Sequence, residues 1–76
     1  MFIKARYMKN GVPSGRAYTF NAPGDTLPDD RLRDPRNGSK LVAIDEPVDE
    51  DWIKTYGAER LVTLEKDLED GGGTDE

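Results

Sequence analysis

Phe2-Ile3-Lys4-Ala5-Arg6-Tyr7-Met8, then Lys9-Asn10-Gly11-Val12-Pro13-Ser14-Gly15, then Arg16-Ala17-Tyr18-Thr19-Phe20: these three successive stretches decide the fold. In the first, apolar and charged side chains nearly alternate. An extended backbone therefore puts Phe2, Lys4, Arg6 and Met8 on one face and Ile3, Ala5 and Tyr7 on the other. The second holds an Asn-Gly pair, a further glycine and a proline that cannot donate to a ladder, which is the chemistry of a hairpin loop. The third resumes the alternation with Tyr18 and Phe20 on one face. Pairing the two strands satisfies both backbones, so the stretch predicts an antiparallel hairpin.

Beyond it, residues 21–40 carry Pro23, Gly24, Pro28, Pro35 and Gly38 among Asp and Arg, with Leu27 and Leu32 as the apolar anchors. Such a stretch is no regular core element; it is either functional or contains one short strand near Arg31 to Arg33. Leu41-Val42-Ala43-Ile44 is a continuous apolar run, the mark of a buried strand. Val48 to Gly57 reads as two turns of helix, with Asp49 as N-cap, Glu50 and Asp51 at the positive helix end and Gly57 past its end. Trp52, Ile53 and Tyr56 are expected on its buried side. Leu61 to Leu64 reads as a last strand, and residues 67–76, acidic with three consecutive glycines, as a tail without fixed structure.

The expected organisation is one globular domain over residues 1–66 followed by that tail. Its fold class is mainly β, a β-rich α+β arrangement. Its form is a small partly open SH3-like barrel or a curled antiparallel sheet of four to five strands with one short helix. Antiparallel pairing is expected because so small a chain has no second layer to cover a parallel sheet.

At 76 residues the chain buries only about 60% of the surface that its unfolded form exposes. With no cysteine, no disulfide or thiolate site reinforces the core. No apolar run approaches the roughly 20 residues of a membrane span, and the first residues lack a signal peptide's apolar segment, so a cytoplasmic protein without membrane contact is expected. The small core and exposed strand edges are compatible with a monomer or a homodimer.

The chain also lacks histidine, which with cysteine supplies the commonest general base, metal ligand and nucleophile. Ser14 and Thr19 have no evident base to activate them, and Gly11 to Arg16 does not have P-loop spacing. Paired carboxylates at Asp29-Asp30, Asp45-Glu46 and Asp49-Glu50-Asp51 fit caps and helix-dipole partners, and no spacing matches a calcium loop. A non-enzyme that needs no cofactor or metal is expected.

Charge is divided along the chain. Residues 1–40 hold eight Lys and Arg against four Asp, whereas residues 41–76 hold three against twelve Asp and Glu. The division offers two candidate surfaces. The acidic one, Asp45, Glu46, Asp49, Glu50, Asp51 and Glu59, with Glu65, Asp67, Glu69 and Asp70 beyond it, could imitate a phosphate backbone and occupy a basic channel. The basic one, Lys4, Arg6, Lys9, Arg16 and Tyr18, with Tyr7 and Phe20 interleaved, could track phosphates and stack on bases. Solubility and protection of strand edges account for the same charges without any partner.

Arg6-Tyr7 followed by Gly11-Val12-Pro13-Ser14-Gly15-Arg16-Ala17-Tyr18-Thr19-Phe20 resembles the hairpin of small uncharacterised proteins from phages and other mobile elements, over about a quarter of the chain. That resemblance implies a bacterial host and a setting in which very small acidic proteins act by binding host proteins or nucleoprotein complexes. The leading expectation is a non-catalytic protein-binding module that inhibits a nucleic-acid-handling host complex in the manner of an anti-CRISPR protein. The alternative is a nucleic-acid-binding accessory protein working through the basic hairpin face.

Overall fold

The computed structural model describes residues 1–67 and has five strands, one α-helix and one 3₁₀ turn. Strands β1 (Phe2–Lys9) and β2 (Val12–Asn21) form the expected hairpin, followed by β3 (Arg31–Arg33), β4 (Lys40–Ile44), helix α1 (Glu50–Tyr56), the 3₁₀ turn (Ala58–Arg60) and β5 (Glu65–Lys66). They make one open sheet in the order β2-β1-β4-β3-β5, with every ladder antiparallel. The mainly β, antiparallel fold with one short helix is thus what the chain adopts.

The hairpin turns more tightly than its composition predicts. Lys9 faces Val12, so the turn is Asn10-Gly11 alone, both at positive φ (54° and 82°), the geometry whose twist matches its flanking strands. Val12 to Gly15 therefore belongs to β2 and not to a loop. Gly15, at φ 76°, lies where the register slips between Ala5 opposite Tyr18 and Tyr7 opposite Ser14, so the second glycine makes a bulge.

The sheet's inner face carries the core. Ile3 lies opposite Phe20, Ala5 opposite Ala43 and Leu32 opposite Leu41; these six, with Ala22 and Leu64, form one buried cluster against which Tyr7 and Val62 pack. Leu32 and Leu41 are wholly buried, and truncating either to alanine should cost about 2–5 kcal/mol, comparable with the whole stability of a domain this small. On the other face Arg6, Val42 and Arg31 form a row across β1, β4 and β3, placing two long aliphatic stems beside buried Val42.

Residues 21–40 hold the predicted short strand, β3, between two hydrogen-bonded turns. In the first, the Thr26 hydroxyl donates to the Pro23 carbonyl (2.7 Å) and the Leu27 N–H to the Asp30 carboxylate (2.9 Å). In the second, wholly buried Asp34 accepts from the Arg36 backbone N–H (2.9 Å) and guanidinium (2.8 and 3.1 Å). Leu27, expected as an anchor, is 65% exposed, because the chain there is held by polar turn bonds instead.

Three further expectations differ from the structure. Ile53 alone in α1 is buried; Trp52 and Tyr56 are 45% and 39% exposed, since a seven-residue helix buries one narrow stripe and these two lie one turn apart on another. Leu61 to Leu64 is not a strand: Leu61 still closes the 3₁₀ turn, only Thr63 bridges to β2, and regular pairing begins at Glu65. The sheet stays open, and among the described residues its β2 edge meets the segment leading into β5 where the Asn21 N–H bonds the Val62 carbonyl (3.0 Å) and the Leu64 N–H the Asn21 carbonyl (2.8 Å). Asp67, assigned by composition to the tail, is buried; its N–H bonds the Arg31 carbonyl and its carboxylate takes the Lys40 ammonium at 2.8 Å. The rest of the expected tail, residues 68–76 with Glu69 and Asp70, lies outside the described residues.

Candidate functional site

The helix and the 3₁₀ turn lie alongside β2, and between them runs a groove of about 550 Å³. Its sheet side is Tyr7 from β1 and Tyr18, Thr19 and Phe20 from β2; its far side is Trp52 and Tyr56 from α1, then Arg60, Leu61 and Val62. Five of the chain's six aromatic residues meet there. Tyr7 makes edge contacts with Tyr18 and Phe20, with ring centroids 6.2 and 6.1 Å apart. Trp52 and Tyr56 stack nearly parallel, 12° apart in plane and 4.8 Å between centroids, and the Arg60 guanidinium lies 5.0 Å from the Tyr56 ring centre. Tyr18 and Trp52 remain 46% and 45% exposed.

The local sequence explains this geometry. Asp49 caps α1 by accepting from the Trp52 N–H at 3.1 Å, and the Gly57 N–H closes the other end on the Ile53 carbonyl at 2.8 Å, so the helix stops after Tyr56. Positions 52 and 56, four apart, then present stacked rings on one side. Alternation in β2 puts Tyr18 and Phe20 on the face they share with Tyr7.

A second groove, of about 460 Å³, continues from the first through Tyr18, Thr19 and Trp52 and adds Lys4, Arg16, Ala17 and Asp49. The two candidate surfaces therefore touch here, with Lys4, Arg16 and Tyr18 of the basic set beside Asp49 of the acidic one. Lys9 is exposed at the hairpin tip and Arg6 half-buried on the face of Lys4; neither lines these grooves. Asp45 and Glu46 line a separate, smaller hollow with Phe2 and Leu27. Glu50, Asp51 and Glu59 are exposed and line none of the three. The acidic set is thus spread along the surface, not gathered into one site.

Folding also dissolves much of the charge division. Arg33 pairs with Glu65, Lys40 with Asp67, Arg36 with Asp34, and Lys66 with Asp30 and Asp25. The Arg36 guanidinium holds the Asp34 carboxyl below its ordinary range, and the Leu27 N–H, then Lys66, does the same for Asp30. Lys4, Arg6, Lys9 and Arg16 make no ion pair among the described residues. Nor do the acids from Asp45 to Asp51, which lie exposed along the segment leading into α1 and on its first turn. No group of three His, Cys, Asp or Glu positioned to hold a metal occurs among the described residues.

Trp52, Tyr56, Arg60, Leu61 and Val62 are the groove residues that reading the sequence misses. The aromatic pair four apart on a two-turn helix was its available signal, and assigning both rings to the core concealed it. No helix among the described residues is long and apolar enough to cross a membrane. Compared with family models, curated proteins and solved structures, the chain matches none of them.

Proposed function

We propose that the protein is a non-catalytic binding module for another protein, with the aromatic groove between β2 and α1 as its working face. The observation that carries this reading is the side-by-side exposure of Tyr18, Trp52 and Tyr56 in a chain whose side chains are only 34% hydrophobic. Rings left in water are an unfavourable use of scarce apolar surface unless a partner covers them, and rigid aromatics in a pocket are what interface hot spots are made of. The exposed acids from Asp45 to Asp51 then steer approach to a cationic partner surface, acting on the rate of encounter. The hairpin's resemblance to phage and mobile-element proteins supports a bacterial cytoplasmic setting and a host complex that handles nucleic acid, such as a CRISPR effector, as the partner.

A second reading has one observation in its favour: Lys4 and Arg16 line the adjoining groove together with Tyr18 and Trp52, a pairing of cations and rings that also holds single-stranded nucleic acid. Affinity capture from host lysate, with and without nuclease, separates the two when the wild type and Trp52→Ala serve as parallel baits. Nuclease-insensitive capture of a protein complex that Trp52→Ala loses supports the module. Capture that vanishes with nuclease supports the second reading and overturns the first.

A further inference from the structure

The groove has a main-chain floor. Consecutive residues of one strand, Tyr18, Thr19 and Phe20, line it, which requires that the strand present its edge there and not only a face. β2 is an edge strand, and its other side is occupied by β1. The direction of its peptide groups follows from Asn21, whose N–H reaches outward to the Val62 carbonyl and whose C=O takes the Leu64 N–H, on either side of the parallel bridge at Thr63. In an antiparallel ladder these directions alternate residue by residue, so Phe20 bonds to β1 and Thr19 points outward again. Among the described residues nothing takes the Thr19 peptide groups. The chain that would continue the line of Val62 turns away into the 3₁₀ turn at Ala58–Arg60, leaving a slot beside β2 roofed by Trp52 and Tyr56.

We propose that this slot takes an extended, carboxylate-bearing segment of the partner protein, which adds to β2 as a sixth strand and bonds the Thr19 peptide groups. The proposal rests on the groove being the protein-binding face and states how the partner is held. Main-chain bonds would supply affinity, and the aromatic walls would receive alternate side chains. The choice of an acidic segment comes from charge. Arg60 lines the slot across the Tyr56 ring with no carboxylate partner there, and Lys4 and Arg16 line the adjoining groove without an ion pair among the described residues. Among the described residues no acid lines the slot itself, and the one acid of the adjoining groove, Asp49, accepts from the Trp52 N–H.

The test uses the whole chain and three probes: the end-blocked pentapeptide Glu-Val-Glu-Val-Glu, its Lys-Val-Lys-Val-Lys counterpart, and an oligothymidine of ten nucleotides. The acidic peptide is expected to change Trp52 emission and to slow exchange of the Thr19 amide about tenfold or more at saturation. Thr19→Pro removes only the outward donor, which an edge strand tolerates, and should weaken the peptide about tenfold while keeping the wild-type melting temperature. The basic peptide should bind about tenfold more weakly than the acidic one. Binding with unchanged Thr19 exchange, or equal affinity in Thr19→Pro, overturns strand addition while capture that depends on Trp52 still stands. Equal affinity for both peptides overturns the acidic ligand. Failure of the acidic peptide, with or without binding of the oligothymidine, overturns the occupant. If Thr19→Pro does not fold, the Thr19 exchange rate in the wild type decides.

Discussion

At Gly15 the backbone runs at φ 76° with nothing within 4 Å of where a Cβ would stand, so a side chain there meets no neighbour and only the backbone objects. A non-glycine residue in that region costs roughly 1–2 kcal/mol. Gly15→Ala should therefore lower the melting temperature by several degrees, whereas Gly24→Ala, at an equally open position without positive φ, should leave it unchanged. Equal melting temperatures for the two variants would remove the bulge from the account of the hairpin. Asp34 is the other residue on which local structure turns. It is wholly buried, its carboxyl takes three bonds from Arg36, and its carbonyl takes the Asn37 and Gly38 N–H groups. Asp34→Ala should cost about 1–3 kcal/mol in denaturant titration. The pH dependence has a definite sign. Asp34 and Asp30 are both held below the ordinary 3.8, so the unfolded chain binds their protons more readily. Their stabilisation is present in full above that value and is lost as pH falls below it. Acid unfolding should begin below about pH 4 and be shallower in Asp34→Ala.

Among the elements, α1 depends most on a single contact. The Asp49 cap on the Trp52 N–H holds a helix too short to persist alone, and that helix carries one wall of the groove. Asp49→Ala should cost about 0.5–2 kcal/mol and lower helical circular dichroism, and Glu50→Gln should leave both nearly unchanged. It follows that weaker binding on changing Asp49 cannot be assigned to its charge. What the sequence makes legible at this scale is local. Asn10-Gly11, the alternation in β1 and β2, the apolar run of β4, the strand at Arg31–Arg33 and the cap and stop of α1 each follow from chemistry within a few residues. What it conceals depends on where elements settle against each other. The pattern shows that Trp52 and Tyr56 share a side of α1, but whether that side meets the core or water is decided by the sheet, and Ile53 takes the buried place. Likewise Leu61 to Leu64 is apolar enough for a strand, yet the chain reaches β2 only at Thr63 before crossing to β3.

For the whole molecule, the opposition of a basic and an acidic half is a property of the chain more than of the fold. The cations at 33, 36, 40 and 66 are paired, whereas Lys4, Arg6, Lys9 and Arg16 on the hairpin make no ion pair among the described residues, and Lys4 and Arg16 stand beside the groove. This also explains why the site is half legible: Lys4, Arg16 and Tyr18 stand out as charge and ring in one hairpin, whereas the wall they face comes from residues about forty positions away. On the function proposed above, a partner meets the groove and not the acidic segment. Hydrogen–deuterium exchange on the captured complex tests it most directly. Slowed exchange is expected to be confined to residues 16–20 and 52–62, with 45–51 unchanged, and protection confined to 45–51 would contradict the proposal.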